Sequence, residues 1–351
     1  MQSTGWNRKA LLSAFEASPT LFRSMSVLMF DLVLFAASSA LVLLATSVAL
    51  KLVGTLLVTA AIVRLFLIGH DACHGSYFAS KKLNAVCGRI AFLPSLTAFS
   101  LWEVGHNTAH HGFNNLKGRD QVWAPYSKAE FDALPRHRQA LERLYRSGAG
   151  WGAYYLVEMW WKKLFFASRR EIGSTRRKYT LDSILASLGA LLWVAAVVVV
   201  ARATGQSPVL LVTLAVIVPF LLWNAVMGFV VYLHHTHPTI AWFRNRQEWQ
   251  RNKAYLTSTA CVRFPFGIER LMHDIMEHNA HHLNPRIPMF NLRAAQRTLH
   301  ERFPELRSFR VTPLTYMDCV RSCKLYDYAN HAWLDFSGRI TAQVTPAPSV
   351  A

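Results

Sequence analysis

VALKLVGTLLVTAAIVRLFLIGHDACH, residues 48–74, decides the fold. Its first part, Val48–Gly69, is long and apolar enough to cross a bilayer as a helix, which takes about 20 residues. Lys51 is expected to snorkel near one end, and Arg64 lies close to the other. Where the apolar run stops, His70 and His74 stand four positions apart. Residues at i and i+4 share a helix face. The stretch therefore reads as a spanning helix that delivers two imidazoles to one membrane surface.

Working outward, the same pattern recurs. Met25–Thr46 is a second span, placed so that it forms a tight helical hairpin with Val48–Gly69; its Asp31 must sit at the interface or find a partner. Leu181–Ala201 and Pro208–Leu233 make another hairpin across the short loop ARATGQS. Val86–Trp102 is apolar but short and interrupted by Pro94, so it is expected to be interfacial or re-entrant. The composition agrees: 52% of the 351 residues are hydrophobic and only 17% charged, which is low for a soluble chain. The formal charge of +18 would also suit a nucleic-acid binder, but no such motif accompanies it. The basic residues lie between and after the apolar runs instead, so nucleic acid is not an expected partner.

Their distribution sets the topology. Residues 103–180 hold 14 Lys and Arg and residues 234–351 hold 15, whereas the loops 47–51 and 202–208 hold one each. Cytoplasmic segments are enriched in Lys and Arg. Both termini and the middle segment are accordingly expected in the cytoplasm, with a bacterial inner membrane as the location. The chain divides into an N-terminal segment 1–24, a membrane domain 25–300 and a cytoplasmic tail 301–351. The N-terminus lacks the short apolar core and cleavage site of a signal peptide. Five cysteines, odd in number and without a CxxC pair, read as reduced thiols. The segments WWKKLFF (160–166) and RREIGSTRRKY (169–179) suit a headgroup layer or ordinary juxtamembrane charge.

This topology brings 11 of the 15 histidines to one membrane face: His70, His74, His106, His110, His111, His234, His235, His237, His278, His281 and His282. His70/His74, His106/His110 and His278/His282 have i, i+4 spacing, so each pair is expected on one helix face. His111 and His282 directly follow another histidine, and adjacent helix positions differ by roughly 100°. Adjacent histidines then address two metal ions rather than one. Neutral imidazole suits iron, zinc, copper or nickel, and one ion takes about three or four protein ligands. Lone histidines (His137, His300, His331) read as surface or packing residues, and His273 has no assigned role. Asp71, Glu103, Asp120, Asp274 and Glu277 are close enough in sequence to orient the imidazoles.

HDACH (70–74), HNTAHH (106–111) and HNAHH (278–282) resemble the three histidine boxes of membrane-bound fatty acid desaturases. The wider stretches GHDACHGSYFASKKLN (69–84), WEVGHNTAHHGFNNLKGRDQVWAPYS (102–127), HHTHP (234–238) and HNAHHLNPRIPMFNL (278–292) carry the likeness from about residue 60 to about residue 300. It is strongest to the acyl-lipid Δ12 or omega-6 branch, where a Gln-His-Thr triplet usually stands in place of His234-His235-Thr236. By that alignment His235 is the ligand supplied outside the boxes, and the histidine in place of Gln leaves open whether His234 or His235 binds metal.

The resemblance implies an all-α integral membrane protein with four spans, an interfacial or re-entrant segment and a cytoplasmic cap. It implies a non-haem di-iron centre on His70, His74, His106, His110, His111, His235, His278, His281 and His282. The expected reaction is O2-dependent desaturation of a fatty acyl chain, carried on a lipid, acyl carrier protein or CoA and admitted through a tunnel lined partly by residues 86–101. Breaking an unactivated methylene C–H bond needs an oxidant that no side chain supplies, so metal chemistry fits. No His-Pro-Gly-Gly haem segment occurs, and electrons are expected from a separate donor such as ferredoxin. A hydroxylase, ketolase or acetylenase would share these boxes. A metal transporter or haem carrier would instead put its ligands within the spans.

Overall fold

Two hydrophobic hairpins carry the chain in its computed structural model, which describes residues 12–120 and 122–345. The first eleven residues of the expected N-terminal segment and the last six of the tail lie outside the described residues. Among the described residues, four helices are long and apolar enough to cross a membrane: Leu21–Leu44, Val48–Cys73, Arg176–Ala203 and Pro208–His235. The second and fourth continue past their apolar runs to take in His70 and His235. The chain forms two compact units, Ser18–Gly105 with Tyr155–Met227, and Met1–Ala17 with His106–Tyr154 and Gly228–Ala351.

In the first of these units the leading hairpin is held by a charge pair. Asp31 is fully buried and meets Arg64 of the next helix at 2.5 Å, the partner its place in an apolar run required. Gly54 lets the two helices approach, because a Cβ there would come within 2.8 Å of Val42. Lys51 does not snorkel to water as expected. It is buried, donating to the carbonyl of Val42 and to Gln206 at 2.7 and 2.6 Å, so it ties the two short loops together.

The segment expected to be re-entrant is a bent pair, Lys81–Ser95 and Phe99–Phe113, with a 106° break between them. Pro94 sits in a 3-10 turn, and Leu96 adopts the left-handed conformation with φ 52°, which ends the first helix. Asp182 then fastens both arms, accepting from Arg89 at 2.7 Å and from the Ser100 N–H at 2.8 Å.

The other unit departs from the all-α expectation. Strands β1 (Cys261–Arg263) and β2 (Ser308–Arg310) pair in parallel, and β3 (Leu325–Asp327), β4 (Ala332–Leu334) and β5 (Ile340–Gln343) form an antiparallel sheet. These three- and four-residue strands are too short to show an apolar periodicity. Their side chains nevertheless build a core: Tyr326 and Trp333 pack with Trp242, Phe243 and Trp249. Arg146, 2% exposed, crosses beneath with donors on Glu142 and on the carbonyls of Cys323 and Trp123. All five cysteines are buried free thiols.

Candidate metal centre

The helix after the 106° break changes character at the histidines. Gly105–His110 is a π-helix, whose i→i+5 turns are wider than α turns. His106 therefore meets His111, Nε2 to Nε2 at 3.0 Å, while its ring also stacks on that of His110 with centroids 5.2 Å apart. His281 joins this pair, its ring centroid 4.5 Å from that of His111, and the three offer ligand nitrogens within 4.8 Å of one another.

His110, His235, His278 and His282 form a second group with the same 4.8 Å spread, and all four are buried. His110 and His111 thus fall in different groups, and so do His281 and His282. His235, rather than His234, belongs to the set; its Nε2 faces that of His278 at 3.2 Å. His234 lies outside it, stacked on His278 with ring centroids 3.6 Å apart and its Nε2 3.1 Å from the Met276 sulfur. His237 lies apart, bonded to Thr239 and packed on Phe309. His70 and His74 belong to the other unit, where their ring centroids are 4.7 Å apart.

For two of the imidazoles, His110 and His235, neighbouring groups fix which nitrogen carries the proton. Asp120, 1% exposed, lies 3.2 Å from His110 Nδ1 and also accepts from the N–H groups of Asn115 and Val122. Nδ1–H thus donates to the carboxylate, leaving the Nε2 lone pair for the group's centre. Asn115 does the same for His235: its Oδ1 is 2.9 Å from Nδ1, while its Nδ2 donates to the carbonyls of His235 and Ala241. Sequence reasoning missed Asn115. The only signal was its place just after the histidines, and its positive φ of 57° suits Asn better than most residues.

The third histidine run is a short helix, His278–Leu283. Glu277 begins it, held by a two-pronged contact from Arg263 at 2.7 Å for each nitrogen and by the Cys261 thiol at 3.3 Å. Asp274 pairs with Arg293. These two acidic candidates are therefore engaged by guanidinium groups. Gln296 accepts from the Ala280 N–H at 2.8 Å and donates to Asn279. The lone histidines stay out of the clusters: His137 is exposed, and His331 bonds Glu248 at 2.7 Å in the tail's core.

The donor set fits a metal. Burial first, and then neighbouring histidines, hold His278 and His282 well below the ordinary value of 6.5, so both rings are neutral at pH 7. Neither ring nitrogen of His282 has a hydrogen-bond partner among the described residues, and the ring is fully buried. An unsatisfied buried polar atom costs about 1–3 kcal/mol, which a coordinated ion would remove. An all-nitrogen set of this size suits iron, copper, zinc or nickel rather than calcium or magnesium.

Apolar helices of spanning length together with two groups of clustered histidine nitrogens, each able to hold a metal ion, define a membrane-type, histidine-rich protein. The sequence profile of the fatty acid desaturase family matches residues 46–313. The chain is 31% identical over 268 residues to the chloroplastic omega-6 fatty acid desaturase of Glycine max, across 76% of this chain and 60% of that protein. It is 30% identical to the sn-1 oleoyl-lipid 12-desaturase of a Picosynechococcus strain, across 78% of this chain and 75% of that protein. The Synechocystis protein of the same name is 30% identical across 76% of this chain and 73% of its own length. The chain spans about three fifths of the soybean protein and about three quarters of the cyanobacterial ones. It belongs to the fatty acid desaturase family, a family of enzymes that desaturate fatty acids.

Proposed function

We propose that this chain is an acyl-lipid desaturase of the Δ12 or omega-6 type, introducing a C=C bond into a fatty acyl chain. The observation that carries this reading is the sorting of seven histidines of one unit into two nitrogen-only groups, in a chain whose relatives are named for that reaction. Two iron ions are the metals proposed. His110, His235, His278 and His282 hold one, and His106, His111 and His281 contribute to the other. His70 and His74, which the sequence puts at the end of a span, supply the remaining ligands.

When bound and reduced by an external donor such as ferredoxin, the irons supply the O2 activation that the reaction requires. The balance is a saturated –CH2–CH2– unit, O2, two electrons and two protons giving –CH=CH– and two waters. Asp120 and Asn115 hold protons on the Nδ1 atoms of His110 and His235 and so keep the opposite lone pairs directed inward. Burial keeps His278 and His282 neutral. The Lys and Arg count supports a cytoplasmic position for the histidines and both termini, and the apolar segment 86–101 is the proposed wall of the acyl tunnel.

The test is expression in a bacterium that makes no polyunsaturated lipids, with a ferredoxin donor supplied and fatty acids analysed by GC–MS. A new double bond is expected. An unchanged profile with iron-loaded protein present would sink the proposal, and a hydroxylated or triple-bonded product would reassign the chemistry within the family.

A further inference from the structure

Between β1 and the His278–Leu283 helix the chain makes an excursion closed at its base and apolar at its tip. At the base, the Val262 N–H donates to the Met276 carbonyl at 3.1 Å, and Arg263 grips Glu277 through two bonds. The tip is the 3-10 segment Pro265–Met272, which turns at Phe266 and Gly267, both with positive φ. A bulky side chain in that left-handed region is strained, so packing ought to reward it. Yet Phe266 is 99% exposed, Leu271 63% and Ile268 48%. Only Glu269 turns inward, accepting from the Phe264 N–H at 3.1 Å. Alongside, the Val311 N–H bonds the Arg263 carbonyl at 2.8 Å, and three residues later Leu314 is 83% exposed. Arg270 and Arg310 are exposed on the same two segments.

We infer that this tip is a membrane anchor: Phe266, Ile268, Leu271 and Leu314 enter the boundary between headgroups and acyl chains, and Arg270 and Arg310 lie at the phosphates. A few apolar side chains bordered by Arg or Lys are the composition of an interfacial segment. A stable protein partner would need about 800 Å² on each side, more than four protruding side chains provide. A bilayer is the occupant that fits, in a chain with four helices of spanning length. The inference rests on those helices crossing a membrane and is independent of the reaction. Through the Arg263–Glu277 clamp, the anchor is tied directly to the helix bearing His278, His281 and His282.

The test uses the full chain in lipid nanodiscs, with a nitroxide on Phe266→Cys and, separately, on Leu271→Cys. The five native cysteines are buried and leave the label to the new site. Gln250→Cys, at an exposed position, is the aqueous control, and Leu192→Cys, at a 71% exposed position of Arg176–Ala203, is the lipid control. In power-saturation EPR, the collision ratio of oxygen to water-soluble nickel chelate should be several-fold higher at 266 and 271 than at 250, as at 192. A ratio at 266 and 271 matching 250, with 192 protected, overturns the anchor. Spin–spin broadening at 266 that vanishes on dilution with unlabelled chain assigns the tip to a second copy and also overturns it. Water exposure at 192 as well removes the spans and the anchor together, whatever the activity of the enzyme.

Discussion

His106 and His111 meet at 3.0 Å, Nε2 to Nε2, although five residues separate them. An α-helix would turn their side chains well over 100° apart, so the meeting depends on the π turn at Gly105–His110. The same turn leaves His110 4.7 Å from His235, ring to ring, in the other group. One wide turn thus sorts three imidazoles from a single hexapeptide into the two histidine groups.

This partition has a measurable signature in metal content. On the proposed assignment His106 and His111 serve the same iron, so the double variant His106→Ala/His111→Ala should lose no more iron than either single one, ending near one ion per chain. His106→Ala combined with His282→Ala should approach none. Desaturation should be lost in all of these variants while membrane insertion is kept. Iron analysis of purified protein decides the matter: equal losses from the two double variants would refute two separate sets.

The groups behind the ligands should matter nearly as much. Removing the partner that orients a metal-bound imidazole typically costs 10–100-fold in affinity or activity. Asp120→Ala should fall in that range, because it strips the acceptor from His110 Nδ1 and two N–H groups at once. Asp120→Asn, which keeps one acceptor oxygen, should lose less. Asn115→Ala should act in the same way through His235. Chelator competition for iron provides the affinities, and wild-type values for Asp120→Ala would remove the orienting role.

What sequence could reveal here follows the range of each signal. Apolar runs are local, and all four spans were legible to within a few residues. Histidine identity was legible too, and so was the split of His110 from His111 and of His281 from His282. Only the grouping of His106 with His111 was hidden, because i, i+4 logic presumes α geometry and nothing in GHNTAH announces a π turn. Asp120 lies ten residues from His110 and was within reach of a sequence argument. Asn115 approaches His235 from 120 residues away, and no spacing rule covers that distance. The tail sheet was invisible because short strands lean on contacts with Trp242 and Trp249, far away in sequence.

A buried arginine holds that tail in place. Arg146 donates to Glu142, to the Trp123 carbonyl and to the Cys323 carbonyl, and the charged pair is almost fully enclosed. Removing one partner of such a pair strands the other charge, at a cost of about 3–5 kcal/mol. Arg146→Ala should therefore lower the unfolding temperature markedly, and Arg146→Lys should recover only part because it cannot reach all three acceptors. A melting curve matching the wild type would show that the fork is dispensable.

Stability of the metal-stripped chain should fall with acid in a window set by histidine. His278 and His282 have native values held well below 6.5 by burial, so the folded state stays neutral where the unfolded chain takes up protons. The unfolded state then binds more protons, and stability rises with pH wherever that is so. The contribution is complete above the unfolded value of about 6.5 and drains away below it, by up to about 1.4 kcal/mol per histidine for each pH unit. Carboxylates titrate lower and do not confuse the range from pH 7.5 to 5.5. Thermal unfolding of chelator-treated protein across that range should show a declining midpoint, and His278→Ala/His282→Ala should flatten the decline. A midpoint that holds constant down to pH 5.5 in the parent chain would mean that these rings accept protons in the folded state, and the case for a neutral, metal-ready quartet would fail.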